Sequence, residues 1–184
     1  MRIISGSAKG TRLKSPPGKK IRPTSHKVKG AFFNMIQNRI VDSRFLDLFS
    51  GSGAVGLEAM SRGARACLFV DRDRDSIKLT RENIKLAKLQ EKASVRQADV
   101  LRFIGGFSPG EKCFDIIYID PPYLYDKISE ILFLLGEGRL LVDGGIVAVE
   151  RPSNGNGKWG FSPFLLLRKK IYGDTILYLL GSCK

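Results

Sequence analysis

Phe45-Leu46-Asp47-Leu48-Phe49-Ser50-Gly51-Ser52-Gly53-Ala54-Val55-Gly56 is the stretch that decides the fold of this chain. Its first half is apolar at nearly every position, the mark of a strand buried on both faces of a parallel sheet. Its second half, Gly51 to Gly56, reads G-x-G-x-x-G between a strand and a helix. Glycine there lets the backbone come close to a ligand. The next strand ends in Asp71, 20 residues beyond Gly51, where an acid can meet ribose hydroxyls.

Outward from this turn, strands and helices alternate. Candidate strands lie at 44–49, 66–71, 93–98, 114–119 and 144–149. Candidate helices lie at 53–62, 74–89 and 127–136, with a short one near 100–104. Phe114-Asp115-Ile116-Ile117-Tyr118-Ile119 typifies the strands, and such runs suit a parallel sheet with helices on both faces. The end of the chain differs. Leu165–Tyr172 and Thr175–Leu180 flank Gly173-Asp174, a hairpin signal that closes the sheet with an antiparallel pair. Upstream, glycines and prolines break residues 1–23 into extended and turn segments. Thr24 or Ser25 can cap a helix running to about Ile40. Val28, Phe32, Met35, Ile36 and Ile40 would form its apolar face, with Lys27, Lys29 and Arg39 in water. Residues 153–163 read as a loop in which Trp159 is an anchor before it is a cover for a bound base.

The 184 residues suffice for one α/β domain with a buried core. No apolar run approaches the roughly 20 residues that span a bilayer, and the basic N-terminus lacks the apolar segment of a signal peptide; cytoplasmic residence is expected. Cys67, Cys113 and Cys183 stand far apart beside a single histidine, His26. Neither a metal site nor a disulfide framework is expected, and Cys67 reads as core. Charge is the stronger clue. Lys plus Arg number 31 against 18 acids, a net +13, and residues 1–41 hold ten of the bases and none of the acids. Such an arm attracts polyphosphate, although a solubilising tail has the same composition. Ile3, Ile4, Phe32 and Phe33 within it argue that parts of it pack.

The glycine turn alone fits both a nicotinamide dinucleotide and S-adenosylmethionine. Asp47 weighs toward the second, because a carboxylate at that strand end opposes a pyrophosphate but suits the ammonium of a methionine moiety. Asp99 ends the third strand, where it can accept from the adenine amino group; capping the helix at Val100 is an equal claim on it. Asp120-Pro121-Pro122-Tyr123 ends the fourth strand and has no evident part in hydride transfer. An exocyclic amine on a nucleobase is a poor nucleophile, because its lone pair is delocalised into the ring. Asp120 and the Pro121 carbonyl can accept its two N–H groups and aim the nitrogen at a sulfonium methyl. Proline pre-positions that carbonyl, and Tyr123 can stack on an extruded base. Transfer then rests on positioning and electrostatics, with no metal and no covalent enzyme intermediate.

These motifs together resemble the class I S-adenosylmethionine-dependent methyltransferases, and within them the RsmD family, which methylates the N2 of a guanine in bacterial small-subunit (16S) ribosomal RNA. The resemblance covers nearly the whole chain. Arg2-Ile3-Ile4-Ser5-Gly6 with Lys9-Gly10 and Leu13, and Arg22-Pro23-Thr24 followed by Val28-Lys29 and Phe33-Asn34, look like the family's N-terminal signature. Asp47 to Gly53 with Gly56-Leu57-Glu58-Ala59 matches its donor motif, Asp120 to Tyr123 its catalytic motif, and Tyr172-Gly173-Asp174-Thr175 its closing hairpin. His26 stands where the family usually has an acid, Gly30 where it often has Glu, and Asp71 where Glu is more frequent.

The resemblance implies a Rossmann-like class I methyltransferase fold, a mostly parallel seven-stranded sheet with a C-terminal antiparallel hairpin and helices on both faces. It implies a basic extension over 1–43 for RNA contact and a methyltransferase domain over 44–184. Asp47, Phe49, Gly51, Ser52, Gly53, Asp71 and Asp99 would hold S-adenosylmethionine. Asp120, Pro121, Pro122 and Tyr123 would be catalytic, and Arg12, Arg22, Lys27 and Lys29 would contact RNA. The implied partner is ribosomal RNA, within the small subunit or its assembly intermediate, bound by a monomer without membrane association. The alternatives are an adenine-N6 or cytosine-N4 methyltransferase of DNA or other RNA, a non-catalytic RNA-binding assembly factor, and, on the glycine turn alone, a nicotinamide-dependent oxidoreductase.

Overall fold

A computed structural model describes residues 1–16, 23–107, 114–137, 140–154 and 159–182. Arg22, Cys113 and Cys183 lie outside them, as does the side chain of His26. The strands are β1 (Arg44–Leu48), β2 (Ala66–Asp71), β3 (Ala93–Gln97), β4 (Phe114–Ile119), β5 (Leu141–Pro152), β6 (Phe164–Tyr172) and β7 (Thr175–Ser182). The helices are α1 (Pro23–Met35), α2 (Ala54–Ser61), α3 (Arg74–Ala87), α4 (Val100–Gly105) and α5 (Ile128–Glu137). The strands form one seven-stranded sheet in the order β3-β2-β1-β4-β5-β7-β6. β1 to β5 are parallel to their neighbours, and β7 runs antiparallel to both β5 and β6. Gly173 takes φ +59 in the turn joining β6 to β7, as the first position of a II′ hairpin turn requires. The expected architecture is the observed one.

Side chains alternate between the faces of a strand, and this sorts the core into two layers. Phe45, Ile116, Tyr118, Ile146 and Ala148 meet α1, α2 and α3 on one face. Leu46, Leu48, Ile117, Ile119, Val147 and Val149 meet α4 and α5 on the other. Cys67 is buried in the first layer, as its apolar strand suggests.

Several boundaries depart from the sequence reading: α1 begins at Pro23, so Thr24 and Ser25 lie within it rather than before it, and β5 runs past residue 149 to Pro152. β5 begins at Leu141 rather than at residue 144, because Asp143-Gly144-Gly145 is absorbed as an irregularity in the ladder with β4. Gly144, at φ +72, supplies the left-handed residue that such a bulge uses. α1 stops at Met35, and the chain tightens into a 3₁₀ turn over Gln37–Arg39, closed by Arg39 N–H donating to the Ile36 carbonyl at 2.8 Å.

The segment before α1 is not a loose arm. Met1 to Leu13 folds back on itself, with Gly10 N–H donating to the Ile3 carbonyl at 2.9 Å and Leu13 N–H to the Met1 carbonyl at 2.9 Å. Ile3 and Leu13 are buried beneath it. It lies on the end of α2 so closely that a Cβ at Gly6 would sit 1.7 Å from the Ser61 carbonyl oxygen. Glu58 of α2, fully buried, clamps the assembly. Its carboxylate accepts from Ile4 N–H at 2.8 Å and Ser5 N–H at 3.0 Å, and pairs with Lys29 Nζ at 3.0 Å and Arg62 Nε at 2.8 Å.

Burial alone would push the Glu58 carboxyl up, but these partners outweigh it and hold the group below the usual carboxylate range. Burial lowers the Lys29 ammonium, opposed by the attraction of Glu58. Lys29 is therefore not in water as expected. The buried stripe of α1 takes in Lys29 and Phe33 beside Val28, Phe32 and Ile36, and the Lys29 ammonium is spent on Glu58 and on the Arg2 carbonyl at 3.1 Å. It does not grip phosphate from this position.

Glu58→Gln leaves two cations without their counter-charge and should cost about 3–5 kcal/mol in urea unfolding. A loss below about 1 kcal/mol would show that the carboxylate is not the clamp. The folded-state carboxyl lies below its unfolded value. Its contribution is thus present above the unfolded value of about 4.3 and is lost as the pH falls through the lower folded value.

Candidate active site

The glycine turn is built by its neighbours. Ser50 N–H donates to the Val70 carbonyl at 3.0 Å and Gly53 N–H to the Ser50 carbonyl at 2.7 Å. Asp71 Oδ2 accepts from Gly51 N–H at 2.8 Å, and its Oδ1 from Asp73 N–H at 2.9 Å. From α3, Thr80 Oγ1 donates to the Gly51 carbonyl at 2.9 Å and Asn83 Nδ2 to the Ser52 carbonyl at 2.9 Å. Asn83 also exchanges hydrogen bonds with the backbone of Lys14. One buried amide thus ties the turn to the N-terminal segment.

The glycines of the motif serve different ends. A Cβ at Gly56 would meet Phe69 Cε1 at 2.4 Å and Cys67 Sγ at 2.5 Å, and one at Gly53 would meet Thr80 Cγ2 at 3.1 Å. Gly53 and Gly56 let α2 pack on β2. At Gly51, φ +55, the nearest atom to a Cβ is 3.9 Å away, so this position keeps the backbone open to a ligand. Phe49 also sits in the left-handed region, at φ +64, a strain of about 1–3 kcal/mol of the kind that collects at functional sites.

A cavity of about 180 Å³ opens at the carboxyl ends of β1, β4 and β5, lined among others by Asp47, Phe49, Gly51, Ser52, Asp120 and Glu150. Its position follows from side-chain alternation. Asp47 is two residues beyond Phe45, Asp120 two beyond Tyr118, and Glu150 two beyond Ala148. All three carboxylates therefore project on the α1–α2 face.

Asp47 is almost fully buried, and its Oδ2 accepts from Gly56 N–H at 2.9 Å. Burial pushes its carboxyl up to about 7, against that hydrogen bond and with help from Asp71. Asp120 is raised well above the usual range by the protein packed around it, then by Glu150 and Asp47. Asp120 stays open to solvent on one side, so water offsets part of the first effect and like-charge repulsion carries the direction. Glu150 is raised by burial, while the Tyr118 hydroxyl, which donates to its Oε2, opposes the shift. Ser50 Oγ is buried in the same wall and has no hydrogen-bond partner among the described residues. A cavity with surplus carboxylate and an orphaned hydroxyl suits a ligand that brings positive charge and N–H or O–H donors.

Beyond Asp120 the chain turns, with Tyr125 N–H donating to the Pro122 carbonyl at 2.9 Å. Arg151 Nη1 donates to the Tyr125 carbonyl at 2.8 Å, and the Tyr125 ring meets Phe49 edge-on at 4.9 Å. Among the described residues no backbone hydrogen bond is made to the Pro121 carbonyl. Tyr123 is 51% exposed, beside Leu124 at 97%.

Of the sequence candidates, Asp47, Phe49, Gly51, Ser52 and Asp120 come together in the cavity, joined by Lys29, which was expected to contact RNA, whereas Gly53, Asp71, Asp99, Pro121, Pro122 and Tyr123 do not line it. Asp99 caps α4, its Oδ1 accepting from Leu101 and Arg102 N–H at 3.1 and 3.2 Å; that bond set does not use its second oxygen. Arg12 and Lys27 are exposed. Trp159 packs edge-on against Phe161 and Tyr178 at 5.0 and 4.9 Å, an anchor for its loop. Sequence reasoning missed Glu150 and Tyr118 as site residues, and it placed Glu58 in the donor motif without its role as a clamp. Glu150 is a lone acid closing an apolar run, the same signal that Asp47 and Asp120 carry.

The seven-stranded sheet with its antiparallel end and this site at the strands' carboxyl ends is a Rossmann-like class I methyltransferase fold. The chain belongs to the family described as Conserved hypothetical protein 95, whose model matches residues 1–181; it is the RsmD family that the motifs resemble. It is 39% identical to YlbH of Bacillus subtilis over 175 residues, 95% of each chain. It is 32% identical to ribosomal RNA small subunit methyltransferase D of Escherichia coli, covering 95% of this chain and 86% of that one. The solved structure of Escherichia coli yhhF superposes with a TM-score of 0.86 at 30% identity, over 99% of this chain and 97% of that one. Among the described residues no helix is long and apolar enough to cross a membrane.

Gly56→Ala should displace Phe69 and Cys67, cost about 1–3 kcal/mol, and distort the turn that Asp47 holds. A crystal structure of the variant with the turn unmoved would sink this reading.

Proposed function

We propose that this protein transfers a methyl group from S-adenosylmethionine to the exocyclic N2 amine of a guanine in small-subunit ribosomal RNA. The convergence of Asp47, Asp120 and Glu150 on one cavity carries the reading, with the exposed Tyr123 three residues beyond Asp120. Relatives named as ribosomal RNA small subunit methyltransferase D support the substrate.

When bound, S-adenosylmethionine supplies an electrophilic methyl group on a sulfonium. Asp47 faces its ammonium and Ser50 Oγ offers a further polar contact, while Gly51 leaves room for its backbone. A dinucleotide pyrophosphate would meet Asp47 charge against charge. Asp71 and the second oxygen of Asp99 are the candidates for ribose and adenine. Asp120 and the Pro121 carbonyl accept from the target amine and aim its lone pair at the methyl carbon. That amine nitrogen would take the bound donor's methyl carbon, with the C–S electron pair kept on sulfur. The amine then gives up one proton, with Asp120 the first acceptor on the way to water. Tyr123 offers a face for the extruded base.

For the RNA, Arg2, Lys9, Arg12 and Lys27 are exposed on the N-terminal segment and α1. α3 adds Arg74, Lys78, Arg81 and Lys85, all exposed. Their spacings of four and three place them on one helix face about 16 Å long. Such a strip suits a phosphate backbone.

The decisive assay is transfer of labelled methyl to undermodified small subunits, naked ribosomal RNA and duplex DNA, followed by digestion to nucleosides. N2-methylguanosine from the ribosomal samples is expected; label in methyladenosine or methylcytosine would overturn the substrate. Asp120→Asn should lower kcat by about 10²-fold or more while S-adenosylhomocysteine binds within about threefold of wild type.

The Asp47 shift sets a second expectation. A cation beside Asp47 requires the carboxylate, so binding of S-adenosylhomocysteine should strengthen as the pH rises toward 7. A carboxyl titrating at about 7 loses roughly fifty-fold in its ionised fraction between pH 7 and pH 5. Calorimetry should show a weakening that approaches but does not exceed that factor, with proton release on binding. Asp47→Asn should bind more weakly and flatten the profile; an unchanged profile in that variant would place the titration elsewhere.

A further inference from the structure

We propose that Glu150 reads the N1–H of the target guanine and is the residue that selects guanine over adenine and cytosine. The inference rests on the guanine-N2 reading above and assigns a role to a residue that the catalytic motif does not contain.

β4 and β5 run parallel with Ile119 opposite Val149. The next residue of each strand, Asp120 and Glu150, therefore leaves the sheet at the same level, on the same face, into the same cavity. Once Asp120 and the Pro121 carbonyl hold the amine, the neighbouring acceptor position belongs to the ring atom beside it.

In guanine that atom is N1, which carries a hydrogen next to the 2-amine. In adenine it is N1 and in cytosine N3, each bearing a lone pair next to the amine. A carboxylate at this position gains a charge-assisted hydrogen bond from guanine. Against adenine or cytosine it faces a lone pair and is left desolvated without a partner. Tyr118 supports the assignment. Its buried hydroxyl donates to Oε2 of Glu150 and so fixes the side chain as an acceptor. That bond engages one oxygen only. A buried tyrosine can be satisfied by a neutral acceptor, so placing a third carboxylate beside Asp47 and Asp120 costs repulsion that a donor-rich base edge relieves. The shifts of Glu150 and Asp120 agree, each lying above the ordinary range.

The test uses unmethylated small subunits reconstituted with either guanine or 2-aminopurine at the methylated position. 2-Aminopurine keeps the 2-amine but has a lone pair at N1. Wild type should favour guanine by about 10²-fold or more in kcat/KM. Glu150→Gln, whose amide can donate to N1, should lose most activity on guanine and accept 2-aminopurine at least as well as guanine. Donor-product binding should stay near the wild-type value.

If Glu150 only holds Tyr118, Glu150→Gln and Tyr118→Phe would slow both substrates equally and leave the ratio unchanged, which overturns the proposal. Wild type that methylates both substrates equally overturns it without any variant. Absence of N2-methylguanosine from wild-type reactions on guanine subunits would instead overturn the underlying reading together with this one.

Discussion

The side-chain alternation of three parallel strands is the constraint on which this molecule depends. Asp47 near the end of β1, Asp120 just past β4 and Glu150 near the end of β5 each follow a run of apolar residues, and alternation turns all three to one side. A one-residue slip in the pairing of any of them would send a carboxylate into the α4–α5 layer, which is wholly apolar around Leu46, Ile119 and Val149. The core therefore enforces the register, and the register assembles the site. Concentrated carboxylate in a half-enclosed cavity is unfavourable by itself, as the upward shifts of all three groups record. A cationic, donor-rich ligand relieves it.

The surroundings supply rigidity of a different kind. The turn after β1 is fastened from four directions, by Val70, Asp71, Thr80 and Asn83. Asn83 links it to the N-terminal segment, and Glu58 links that segment to α1 and α2. The basic segment thus packs beside the cavity, which Met1 lines, and is not a tether. Charge exposed on it, at Arg2, Lys9 and Arg12, is held at a defined place relative to the cavity. An arm that had to order itself on RNA would lose affinity to that ordering.

Much of this was legible in the primary structure. Each expected strand and helix has a counterpart in the fold, because both core layers demand long apolar runs and the turns carry glycine, proline and aspartate. The misplaced start of β5 came from Asp143-Gly144-Gly145, where a bulge and a chain-ending turn use the same residues. Lys29 was misread because a lysine on a helix is ordinarily wet; only the unseen Glu58 beneath it made burial favourable. Gly53 and Gly56 carry the ligand motif, yet the space beside them is filled by Thr80, Phe69 and Cys67, partners on other elements.

The sequence by itself determined the alternating α/β order, the turn after β1, the Asp-Pro-Pro-Tyr terminus of β4 and the closing hairpin. Each is written in local periodicity or in residues with narrow backbone preferences. The tertiary structure alone decided which lone acids share a cavity, which lysine is spent inside, and which glycine faces open space. Those outcomes depend on strand order and on packing between segments far apart in the chain. Strand order is what sets Glu150 beside Asp120, a neighbour 30 residues away in the sequence.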